Sequence, residues 1–109
     1  MDTLHFPEPI ASYFTADRQN ADAVARCFTA RAVVKDEGHT HTGRDAIKAW
    51  KADASTQYTY ISEPLAITQQ DGQHIVRSRV TGTFPGSPVD LHYRFRLEGG
   101  LIASLEITP

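Results

Sequence analysis

Asp36 is where the sequence concentrates its chemistry. It ends the short apolar stretch Ala32-Val33-Val34-Lys35-Asp36-Glu37, directly before Gly38. A carboxylate at a strand end beside a half-apolar pocket can take a proton from a carbon next to a carbonyl. Partial burial raises its affinity for that proton toward the useful range. The plainer alternative is a strand-end carboxylate that caps Gly38, His39 or the helix that follows. His41 is a candidate acid–base partner for Asp36. His39 and His41 also share a strand face with Glu37, a spacing that suits a metal ion. No second cluster supports it in sequence, and His74 and His92 would have to bring further ligands from elsewhere, so a metal site is not expected.

Other reactive types are more easily read as structure. Cys27, the single cysteine, stands beside Phe28 as a small buried hydrophobe, and it has no partner for an internal disulfide. Arg77 with Arg79, and Arg94 with Arg96, alternate on two stretches expected to pair. They suit a solvated or dimer-facing surface, balanced by Glu63, Asp90, Glu98 or Glu106. The alternative puts one arginine in a pocket, against a substrate carboxylate or Asp36. Tyr58 and Tyr60 point to one side of a regular strand, either to a pocket mouth or to an outer face.

The elements that must position these residues follow from punctuation and period. Pro7 and Pro9 open a helix over about residues 7–18, with Ile10, Tyr13, Phe14 and Asp17 along one face. Asn20 caps a second helix whose inner face carries Ala21, Val24, Ala25 and Phe28. Residues 32–37 form a strand, Gly38 a turn, and 39–42 a second short strand. Thr42 or Gly43 caps a third helix that ends near Gln57 and buries Ile47, Trp50 and Ala54. Four strands follow, over residues 58–68 with a break near Pro64, 74–84, 89–97 and 101–107, with turns at Asp71-Gly72, Pro85-Gly86-Ser87-Pro88 and Gly99-Gly100. On the third of these, Leu91, Tyr93, Phe95 and Leu97 alternate with His92, Arg94 and Arg96. Helices first and a strand meander last imply an α+β fold, with helices on one face of a curved antiparallel sheet.

Composition excludes several classes. A chain of 109 residues supports one domain, covering 1–109. With 40% hydrophobic and 22% charged residues it is built to fold rather than to stay disordered. Eleven basic against 13 acidic side chains give a formal charge of −2, which argues against nucleic acid as the partner. Its apolar runs are too short to cross a membrane. The N-terminal MDTLHFPEPI lacks the pattern of a secretory signal. A cytoplasmic protein is expected.

The sequence resembles the nuclear transport factor 2-like superfamily, and within it the SnoaL-like group. The resemblance is carried by Ile10-Ala11-Ser12-Tyr13-Phe14-Thr15-Ala16-Asp17, by Asp22, Phe28 and the 32–38 stretch, and by Gly43-Arg44-Asp45-Ala46-Ile47-Lys48-Ala49-Trp50. It covers nearly the whole chain. It implies a cone, a curved sheet wrapped around three N-terminal helices in a cystatin-like roll, with a pocket at the wide end and a homodimer through the sheet. Members include isomerases, dehydratases, epoxide hydrolases and polyketide cyclases as well as proteins that only bind, and the resemblance implies neither a metal nor an organic cofactor.

On this resemblance Asp36 matches the general base of the ketosteroid isomerase pattern. The pattern's helix tyrosine falls on Phe14, one residue from Tyr13, and its late-strand aspartate falls on Tyr93. That implies an oxyanion site rebuilt around Tyr93. Phe14 and Trp50 would wall the pocket, with Tyr13 and Tyr58 as further ligand contacts. The expected activity is proton-transfer isomerisation, cyclisation or dehydration of an apolar carbonyl compound. The alternative is a non-catalytic ligand-binding or dimerisation module.

Overall fold

The computed structural model describes residues 5–109. The chain runs through α1 (Glu8–Asp17), α2 (Ala21–Ala25), β1 (Phe28–Asp36), β2 (His39–Thr42), α3 (Arg44–Gln57), β3 (Tyr60–Gln70), β4 (Gln73–Gly82), β5 (Val89–Glu98) and β6 (Leu101–Thr108). The strands form a single six-stranded sheet in the order β2-β1-β6-β5-β4-β3. Only β1 and β6 run parallel. The sheet is curved and unclosed, and the fold is α+β, as the order of elements implies.

Local signals explain most boundaries. Pro7 stands at the entry to α1 with φ −51°, the angle its ring imposes. Asn20 caps α2, its side-chain oxygen accepting from the Ala23 N–H at 2.8 Å. Gly43 rather than Thr42 opens α3, with φ +89°. Two bonds then tie α3 to β1: the Gly43 N–H donates to the Ala32 carbonyl at 2.8 Å, and Arg44 Nε donates to the Phe28 carbonyl at 2.9 Å. They set the helix across the start of the strand that ends in Asp36.

The second helix is shorter than its sequence pattern suggests. Its last turn tightens, with the Cys27 N–H reaching back to Val24. Phe28 is therefore not on a helix. It begins β1 opposite Ile102, fully buried. Pro64 interrupts β3 as expected: the register against β4 shifts between Pro64 and Ala66, where proline cannot donate to the ladder. Gly82 is needed for close approach, because a Cβ there would collide with the Thr59 carbonyl of the neighbouring chain segment.

The core lies between the helices and the concave side of the sheet. Tyr13, Phe14, Phe28, Tyr93 and Phe95 form one aromatic cluster, with neighbouring ring centres 5.2–6.3 Å apart. Leu91, Tyr93, Phe95 and Leu97 pack inward on β5, and the arginines of β4 and β5 stand on the other face. Arg77 and Arg79 both pair with Asp90, at 3.3 and 3.0 Å, in solvent. No helix among the described residues is long and apolar enough to cross a membrane.

Candidate active site

The register of β1 decides where Asp36 points. Ala32 and Val34 are fully buried, and side chains two apart in a strand share a face, so Asp36 shares theirs. The turn after it is Glu37-Gly38, with φ of +51° and +77°. Two consecutive positive φ values mark the two-residue turn that suits a twisted hairpin. Asp36 pairs with His39 across that hairpin and with Ile107 on β6. Its carboxylate is thereby held at the edge of a cavity of about 490 Å³.

Trp50 of α3 fixes the carboxylate. Its indole Nε1–H donates to Asp36 Oδ2 at 3.0 Å. That bond occupies one oxygen and leaves Oδ1 to a ligand. The cavity runs from Asp36 and Glu37 past Trp50 and Lys51 to an apolar wall that includes Val80, Leu91 and Ile107. Tyr58, Phe84 and Pro85 border it too, and the rings of Tyr58 and Phe84 meet edge to face at 6.2 Å.

Tyr93 also lines the cavity, and it anchors a chain of three hydroxyls. Its Oη lies 3.2 Å from Ser62 Oγ, which lies 2.7 Å from Ser78 Oγ. All three residues are buried. Each hydroxyl carries one proton, so the chain can run in either direction. Run from Ser78 toward Tyr93, it leaves the phenol O–H free to donate to a ligand. Burial pushes Tyr93 up to about 12, partly opposed by the Ser62 hydrogen bond. The group is therefore a neutral donor throughout the physiological range.

A charged cluster stands on the same side of the molecule. Lys51 Nζ lies 2.6 Å from Asp17 Oδ1 and donates to Tyr60 Oη at 2.8 Å. Both charged side chains are at most 7% exposed. The ammonium also sits over the Trp50 ring, 4.6 Å from its centre. Burial by itself pulls Lys51 down, but Asp17 and Tyr60 more than offset this, and it stands above its ordinary 10.5. For Tyr60 desolvation acts the other way and raises it, against the opposing pull of Lys51. Both therefore keep their protons at neutral pH.

The match to the model of the SnoaL-like domain covers residues 10–105. The chain belongs to that family. It is similar to the crystal structure of a candidate polyketide cyclase from Sinorhizobium meliloti, with 42% identity, a TM-score of 0.90, and 94% of this chain and 95% of that one covered. A protein of ketosteroid isomerase-like fold from Catenulispora acidiphila, in complex with trimethylamine, is 21% identical, with a TM-score of 0.86 over 96% of this chain and 87% of that one. A cystatin-fold protein from Novosphingobium aromaticivorans is 19% identical, with a TM-score of 0.78 over 98% and 100%. At such identities the last two bear on fold alone. No curated protein matches.

For a SnoaL-like chain the residues singled out in sequence divide clearly. Asp36, Trp50, Tyr58 and Tyr93 come together around the cavity. Phe14 does not line it; its ring packs against Tyr13, Tyr93 and Phe95 in the core. Tyr13 does not line it either. It is fully buried, and its hydroxyl has no hydrogen-bond partner among the described residues. His41 lies beside Trp50, with ring centres 6.0 Å apart, but outside the cavity lining. Arg77, Arg79, Arg94 and Arg96 are absent from the lining as well.

Asp17, Lys51, Ser62 and Ser78 were missed by sequence reasoning. A signal for two of them was present. Asp17 falls on the apolar stripe of α1 with Ile10 and Tyr13, and Lys51 sits four residues after the buried Ile47. A charge at a stripe position on each of two helices points to a buried ion pair.

Proposed function

We propose that this SnoaL-like protein is a small-molecule isomerase or cyclase acting on an apolar carbonyl compound, with Asp36 as the general base. The supporting observation is the Asp36 carboxylate at the edge of a largely apolar cavity, oriented by the Trp50 N–H at 3.0 Å. Oδ1 removes a proton from the carbon next to the ligand carbonyl, and the electron pair moves to the carbonyl oxygen as an enolate. In isomerisation of a β,γ-unsaturated ketone the enolate is a dienolate, and the protonated Asp36 returns the proton to its γ-carbon. In cyclisation the enolate carbon instead attacks a second carbonyl, whose oxygen takes the π electron pair and then the proton held on Asp36. Tyr93 supports this chemistry as a neutral O–H donor to the developing oxyanion. The apolar wall excludes water, so a polar donor counts for more there.

The test is Asp36→Asn on solvent-deuterium exchange at the α-carbon of a panel of cyclic ketones and diketones. The variant is expected to keep its fold and ligand binding while exchange falls by about 10²-fold or more. Equal exchange by variant and wild type would remove Asp36 from the role. Ligand binding with no exchange in either protein would favour the non-catalytic reading.

The same family reading supports a homodimer formed through the outer sheet face, by two-fold pairing of one surface with itself. Sedimentation at micromolar concentration is expected to give about twice the 12.1 kDa chain mass. A species at the single-chain mass would count against the dimer.

A further inference from the structure

The Asp17–Lys51 pair is a buried dipole with a direction. Lys51 lines the cavity, and Asp17 does not. Of the two, the lysine is therefore the member on the ligand side. An ammonium has three protons. Two are directed at Asp17 and Tyr60, and the aromatic faces nearby are those of Trp50 at 4.6 Å, Tyr60 at 5.2 Å and Tyr13 at 5.7 Å. Tyr60 lines the cavity too. Because its oxygen accepts from Lys51 at 2.8 Å, its own O–H points away from the ammonium and donates to Asp17 Oδ1 in a long bond of 3.4 Å, one that a ligand oxygen can replace.

A buried charge pair is costly to desolvate and is commonly no more stabilising than an apolar pair of the same volume. Packing alone is thus a weak reason for one at the wall of an apolar cavity. Two donor-bearing residues in the lining of that cavity, one of them cationic, suit a different task. We propose that Lys51 and Tyr60 form the oxyanion-binding pole of this cavity, receiving an enolate, phenolate or carboxylate oxygen of the ligand. Trp50 then separates two ends of opposite character. Its N–H holds the Asp36 carboxylate, and its ring face carries the Lys51 ammonium. A substrate that spans them has an acidic C–H toward Asp36 and an oxygen that gains negative charge toward Lys51, with Tyr93 of the same lining as a further, neutral donor to it. The inference rests on the cavity being a small-molecule site, but not on Asp36 being the base.

The sign of a ligand's ionisation shift tests this directly. The probe is 4-nitrophenol, whose visible absorbance reports its charge, and its entry can be followed by quenching of Trp50, the single tryptophan. If Lys51 and Tyr60 form the pole, the bound phenol ionises at lower pH than the free phenol. About one pH unit is expected, a tenfold preference for the anion. If Asp36 and Glu37 dominate the cavity, the shift is absent or opposite, and the proposal is overturned. No quenching and no spectral change would overturn it equally.

The paired substitution Asp17→Asn with Lys51→Met removes both charges at nearly constant volume and avoids stranding either one. It is expected to keep quenching and lose the ionisation shift; a shift that survives would overturn the assignment. Tyr60→Phe should lose part of the shift. Asp36→Asn should keep the shift even where it abolishes proton exchange, so failure of the base and failure of this pole give different results.

Discussion

Trp50 donates its indole N–H to Asp36 Oδ2 across 3.0 Å, a helix side chain holding the last residue of a strand fourteen positions earlier. The bond removes the rotational freedom of a carboxylate that would otherwise swing at the strand end. It also leaves a defined oxygen toward the cavity. Trp50→Phe keeps the aromatic wall and deletes the donor. A hydrogen bond to a charged group contributes about 1.5–3 kcal/mol, so loss of part of it in the transition state gives a fall in kcat of about tenfold. KM should change little, since the ring still fills the wall. Steady-state kinetics of the α-carbon exchange separates the two. A large rise in KM with unchanged kcat would mean that Trp50 binds ligand and does not orient the base.

The Asp17–Lys51 pair predicts strong non-additivity. Lys51→Met alone leaves a carboxylate almost fully buried without its cation, and breaking such a pair costs about 3–5 kcal/mol. Asp17→Asn alone strands the ammonium in the same way. The double variant should be markedly more stable than either single variant, because no unpaired charge remains. Urea unfolding of all four proteins completes the cycle. Additive losses would show that the two groups act independently.

The fold was legible in this sequence because several signals agree. Prolines at 7 and 9, Asn20, Gly43 and the glycine turns each specify a boundary by backbone chemistry. The alternation from Leu91 to Leu97 gave the inward face of β5 before any tertiary fact. Phe28 was assigned to the wrong element because a buried aromatic satisfies a helix stripe and a strand face equally. For the site, Asp36 and Trp50 could be singled out one by one, since each carries its own chemistry in its own element. Phe14 was misread as pocket wall because in a cone the core and the wall share one surface, and only the packing angle of α1 decides which residue reaches the opening. Ser62, Ser78 and Tyr93 could not be joined in advance. Their hydroxyl chain depends on the pairings of Ser62 with Val80 and of Ser78 with Leu91, which a bulge at Pro64 helps to set.

That hydroxyl chain gives a graded prediction. Ser78 stands at its end, bonded to Ser62 at 2.7 Å. Ser78→Ala removes the terminal partner and leaves Ser62 with Tyr93, for a loss of about 1 kcal/mol. Ser62→Ala removes the middle and leaves two buried hydroxyls unpaired, so the loss should be about 2 kcal/mol or more. Thermal or urea denaturation ranks them. If Ser78→Ala is the more damaging, the chain is not the unit that stabilises this part of the sheet.

Alkaline pH acts on Tyr93 and on Lys51 in the same direction. Burial holds the Tyr93 phenol up to about 12 in the folded chain, against 10.0 when exposed. From pH 10 upward the unfolded chain gives up this proton while the folded chain keeps it. The unfolded state then binds fewer protons, so stability falls as pH rises. The contribution is complete below pH 10 and is lost by about pH 12. Two units correspond to about 3 kcal/mol. Lys51 is also raised, above 10.5, burial opposing and Asp17 outweighing it. Its stabilisation is likewise present below that value and lost above it. Tyr93→Phe removes the phenol, so its unfolding free energy should fall less steeply between pH 10 and pH 12 than that of the wild type, with the Lys51 part remaining. Urea midpoints measured across that range for both proteins give the comparison, and parallel curves would mean that Tyr93 ionises in the folded chain as readily as in the unfolded one.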